Sequence, residues 1–129
     1  MNRILITIIG LLVSFSCSAL SIHCGPIDES FKRHASEVDI EYIRDVDTWA
    51  ILIRAPLVIE EMPFSLVSIS KGKDGNVFNA HLRTYENKGK MEAHFYANEE
   101  TLKGMRLWVF YGGQCQKGFN LPLKHNKAL

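Results

Sequence analysis

Five histidines, three cysteines and a scatter of carboxylates are the side chains of this 129-residue chain whose types could do chemistry. Their spacing limits what that chemistry can be. His81 and His94 stand on either side of the turn Asn87-Lys88-Gly89-Lys90, and a hairpin closed there puts both on one face with Glu92, where they could offer ligands to a metal ion. Zinc takes three or four ligands and the cationic Arg83 falls between the two imidazoles, so that face is read as solvated and polar, with a metal site as the alternative. Glu60-Glu61 and Glu99-Glu100 are neighbours in sequence and point to opposite sides of an extended chain, so neither makes a carboxylate dyad. No H-E-x-x-H, G-x-S-x-G, P-loop or glycine-rich dinucleotide turn occurs. The expectation is a non-enzymatic protein without catalytic residues or cofactor.

The cysteines point to a compartment. Residues 1–19 carry one early charge, Arg3, then an apolar run from Ile4 to Phe15, then the small residues Ser16, Ser18 and Ala19. That run suits a secretory signal and is shorter than a membrane span of about 20 residues. Cleavage removes Cys17 and leaves one domain, residues 20–129, with Cys24 and Cys115, which are expected to pair in the periplasm or outside the cell. A bridge closing a loop of about 90 residues would stabilise the fold by at most roughly 4 to 5 kcal/mol in the chain-entropy account. With Arg3 gone, fourteen basic and fourteen acidic side chains balance, which argues against nucleic acid as a partner. Along the chain the charge is lopsided: 20–69 carry four basic and nine acidic residues, 70–129 ten and five. Two interleaved halves of one sandwich would attract each other.

The elements that must position these residues are strands. From Phe78, Ala80, Leu82 and Thr84 the period of two continues past the turn into Met91, Ala93, Phe95 and Ala97. A loop centred on Lys88-Gly89 sets Leu82 opposite Phe95, and one centred on Gly89-Lys90 sets Thr84 there. Either register gathers Asn79, His81, Arg83, Tyr85, Glu92, His94 and Tyr96 on a second face. Further strands are expected over 38–44, 49–53, 64–70, 105–111 and 115–123, with 57–62 as an edge strand or loop between Pro56 and Pro63. Acidic residues leading basic ones over 28–34 suit a short helical turn. The fold class is therefore all-β, an antiparallel two-sheet sandwich of about seven strands with immunoglobulin-like topology, although the cysteine and tyrosine hallmarks of that family are missing.

Two of these strands are too apolar for a sheet with one face in water. Opposite Met105, Leu107, Val109 and Tyr111 stand Arg106, Trp108 and Phe110, and opposite Trp49, Ile51 and Ile53 stand Ala50 and Leu52. The N-terminal segment, drawn across by the Cys24–Cys115 bridge, is one expected cover for the outer face; a second copy or another protein is the other. Trp108, Phe110 and Tyr96, with Arg106 and Arg83, are the residue types that anchor protein interfaces. The functional expectation is binding of another macromolecule through a rigid β-surface, most concretely by an inhibitor or immunity-type protein directed at a hydrolase or toxin. A small-ligand or metal carrier using His81, His94 and Glu92 is the alternative, and an enzyme with a site dispersed over loops comes third.

Overall fold

The computed structural model describes residues 29–124; the expected signal peptide and Cys24 lie outside them. Nine strands follow one another: β1 (Asp39–Asp45), β2 (Thr48–Pro56), β3 (Val58–Ile59), β4 (Met62–Lys71), β5 (Phe78–Leu82), β6 (Thr84–Asn87), β7 (Lys90–Ala97), β8 (Met105–Tyr111) and β9 (Lys117–Pro122). They form two antiparallel sheets, the first in the order β1-β2-β7-β6 and the second in the order β3-β4-β8-β9, with β5 also paired to β4. The all-β sandwich expected from the alternation is the fold observed.

Both doubly apolar strands are interior ones. β2 lies between β1 and β7, and β8 between β4 and β9. Their inward sets, Trp49, Ile51, Ile53 and Ala55 from β2 and Met105, Leu107, Val109 and Tyr111 from β8, fill one core with Val67, Ile69 and Phe119. Burying such side chains stabilises by about 1.5 to 3 kcal/mol each, which is why the even spacing of these two strands is so strongly written. The acidic and basic halves interleave as well, because β2 pairs with β7 and β4 with β8.

The long hairpin is the main departure from expectation. Its turn is the first of the two expected registers: Asn87 faces Lys90 and Thr84 faces Ala93, with Lys88 and Gly89 both at positive φ, the two-residue turn that matches strand twist. The strand, however, changes sheets at Arg83. β5 pairs with β4, so Leu82 faces Val67, while Phe95 faces Ile51 on β2. Leu82 and Phe95 therefore belong to different ladders. Phe78, Leu82 and Thr84 are the half-buried residues of the two segments and all carry even numbers, so the period runs through a change of partner.

The expected helical turn is a nine-residue 3-10 helix, Glu29–Glu37. Its Phe31 is fully buried, with ring centroids 6.1 Å from Tyr111 and 5.9 Å from Phe119, and it closes the open edge beside β9. Arg33 reaches Glu60 at 2.7 Å, clipping the helix to the β3–β4 turn. This part of the N-terminal segment packs inward on the core and does not lie across the outer face of β8. Tyr111 spans the sheets, its hydroxyl donating to the Pro56 carbonyl at 2.7 Å; burial first, and the nearby Glu37 charge second, push its ionisation far up. Among the described residues no helix is long and apolar enough to cross a membrane.

Candidate functional site

Antiparallel register decides which side chains share a face. On the outer side of the second sheet, Ser68 faces both Trp108 and His81, Ser70 faces both Arg106 and Asn79, and Leu66 faces Phe110. On the far side of β8, Trp108 faces Asn120 and Phe110 faces Gly118. The face is thus a strip of two large rings with small or polar residues on both sides of Trp108, and with Leu66 on one side and Gly118 on the other side of Phe110.

Those small residues let the rings lie down. The Trp108 indole N–H donates to Ser70 Oγ at 2.9 Å, and beneath it Ser68 and Ser70 are only 5% and 7% exposed. Phe110 lies against the backbone of β9, where a Cβ on Gly118 would come within 2.5 Å of the ring. The two rings are nearly parallel, 7° apart, with centroids separated by 6.3 Å. Arg106 is held in turn by the Asn120 side-chain oxygen, which accepts from its Nε at 2.8 Å and also from Nη2. Trp108 and Arg106 are each hydrogen-bonded to a neighbouring strand, and Phe110 packs on the backbone at Gly118.

Beside Trp108 the sheet face deepens into an open cleft of about 520 Å³, lined by Ser70, Lys73, Asp74, Asn79, Arg106 and Trp108 with Gly72 and Gly75. One wall is the turn after β4, which needs positive φ at Gly72, Asp74 and Gly75. At Gly72 a side chain would also collide with Asn76 and Val77.

The remaining residues expected at the partner surface are elsewhere. Tyr96 is 66% exposed on the outer side of the first sheet, opposite Ala50, and Arg83 is exposed at the crossing between β5 and β6. Trp108, Phe110 and Arg106 come together; Tyr96 belongs to the other side of the sandwich. The first sheet's outer side carries its own row, Tyr85, His94 and Tyr96, with ring centroids 6.1 and 6.4 Å apart. Below it Arg54 bridges Glu41 at 3.1 Å and Glu92 at 3.2 Å. Burial pushes the Glu92 carboxyl up, but bonds from Asn87, Arg54 and Tyr85 outweigh it and hold the group below its ordinary value.

The metal alternative loses its geometry at the sheet crossing. His81 faces Ser68 on the second sheet, whereas His94 faces Leu52 and Glu92 faces Arg54 on the first. Among the described residues no three metal-ligating side chains are grouped.

No protein family, curated protein or solved structure matches the chain. Sequence reasoning picked out the rings and Arg106 but missed Ser70, Lys73 and Asn79, the residues that make the cleft. The signal available was the pair Ser68 and Ser70 on one alternate set, small residues where a half-buried strand usually carries larger ones.

Proposed function

We propose that this chain is an exported, non-enzymatic binding protein that presents the outer face of its second sheet to another protein, most concretely as an inhibitor or immunity-type protein acting on a hydrolase or toxin. The observation that carries this reading is the immobilised pair Trp108 and Phe110, two rings held nearly parallel by Ser70 and Gly118 beside a fixed Arg106. Anchors already held in one rotamer lose little freedom on binding, a saving of about 0.5 to 1.5 kcal/mol per side chain. Aromatic and arginine side chains are also the residues on which interface energies concentrate.

Three further parts of the reading rest on sequence and topology. Export follows from the apolar N-terminal run. A Cys24–Cys115 disulfide is supported by reach: Cys115 lies between β8 and β9, next to the strand ends where Phe31 packs, and the five residue steps from Cys24 to Glu29 span up to about 17 Å. The immunoglobulin-like topology is supported by strand order, since β1-β2-β7-β6 and β4-β8-β9 correspond to the A-B-E-D and C-F-G sheets of that sandwich.

The test is capture from a native envelope extract on immobilised mature protein. A specific protein retained by wild type and lost with Trp108→Asp, with circular dichroism unchanged, supports the reading. A monomeric mature protein that retains nothing overturns it.

A further inference from the structure

The cleft beside Trp108 carries charge that the fold leaves unmatched. Lys73 and Arg106 both line it, and neither takes part in an ion pair among the described residues. Asp74 lines it too, so two cations against one carboxylate leave the cleft net positive. Arg106 spends its Nε edge on Asn120 and keeps the outer Nη1/Nη2 end, the geometry that takes a carboxylate end-on. Ser70 Oγ accepts from the Trp108 indole, which leaves its own proton for a second acceptor.

We propose, resting on the docking face above, that this cleft is a socket for an acidic side chain of the partner protein, its carboxylate gripped by Arg106 and Lys73 and its aliphatic stem laid against the Trp108 ring. The class follows from the lining. The lining carries one net positive charge, Lys73 and Arg106 against Asp74, which matches a single carboxylate and falls short of a phosphate dianion. An extended glycan would need a continuing groove; the lining here is short, running from the turn at Gly72–Gly75 to Trp108, whose ring stacks with Phe110. A short socket ringed by a flat, water-excluding surface is the form of a protein hot spot.

Two-dimensional NMR of the labelled mature protein tests this through the Trp108 indole N–H, with the Trp49 indole, buried in the opposite sheet, as internal control. The probes are a capped peptide with a central Leu-Glu-Leu, its Leu-Gln-Leu counterpart, glucuronate and inorganic phosphate. The expected result is a saturable shift of the Trp108 signal by the Glu peptide, with affinity about tenfold above the Gln peptide, the size of one charge-assisted hydrogen-bonded contact. That preference falls away in Arg106→Gln, a change at an exposed side chain that leaves the core alone. Equal or absent shifts from the Glu and Gln peptides, or stronger shifts from glucuronate or phosphate, overturn the proposal. The two readings fail separately: a captured partner lost with Trp108→Asp but kept by Arg106→Gln and Lys73→Gln leaves the docking face standing and removes the acidic key.

Discussion

A single substitution at Gly118 shows how much the face depends on small residues. A Cβ there meets the Phe110 ring at 2.5 Å and the Val109 carbonyl at 2.8 Å, so Gly118→Ala must move either the ring or the strand. The expected cost is about 1 to 3 kcal/mol in urea denaturation, with Phe110 lifted from the shelf. Tyr111→Phe removes a hydroxyl that satisfies the Pro56 carbonyl across the sheets and should cost about 1 to 2 kcal/mol in the same measurement. Glu92 is the one buried carboxylate among the described residues. It is 6% exposed and its pKa is lowered in the fold, so its contribution is present above the unfolded carboxylate range and is lost as pH falls through the folded value. Arg54→Met removes one of the groups holding that carboxyl down while its burial remains. The variant should therefore be less stable than wild type at pH 7, and the gap should close as the pH is lowered below the range in which Glu92 protonates; urea midpoints at neutral and acid pH measure both.

At the level of elements, the β1–β2 turn holds a backbone conformation that its residue does not favour. Val46 sits at the β1–β2 turn with φ of 49°, a β-branched residue in the left-handed region, and is 80% exposed. Val46→Asn should raise stability by about 0.5 to 1 kcal/mol, read as a shifted thermal midpoint, because it relieves a conformation that costs L side chains about 1 to 2 kcal/mol. β8 was legible from its sequence to the residue, since four alternate apolar side chains bounded by Gly104 and Gly112-Gly113 leave one register for a buried strand. The Lys88-Gly89 turn was legible as one of two choices. The break at Arg83 was not, because alternation records which face a residue takes and says nothing of which strand it pairs with. That one crossing accounts for the dispersal of the expected polar face: it carries Asn79 and His81 to the second sheet and leaves Tyr85, Glu92, His94 and Tyr96 on the first. β3 was legible only as an edge strand or a loop between Pro56 and Pro63, as a two-residue strand is too short to show a period.

For the molecule as a whole, the sandwich offers two outer faces with opposite character. The first sheet shows Tyr85 and Tyr96 exposed on either side of His94 above an ion-paired floor; the second shows Trp108 and Phe110 pressed flat beside a positively charged cleft. Rigid rings and unmatched cations favour the second as the docking face. The proposed Cys24–Cys115 bridge belongs to this scale as well: it predicts an exported protein whose intact mass is short by two hydrogens and whose stability drops on reduction by at most roughly 4 to 5 kcal/mol. The most direct test of the account sets the faces against each other, by capture from envelope extract on wild type, Trp108→Asp and Tyr96→Asp, each checked for native circular dichroism. Retention by wild type and Tyr96→Asp with loss by Trp108→Asp is the predicted result. Retention by Trp108→Asp with loss by Tyr96→Asp would move the docking site to the first sheet and contradict it.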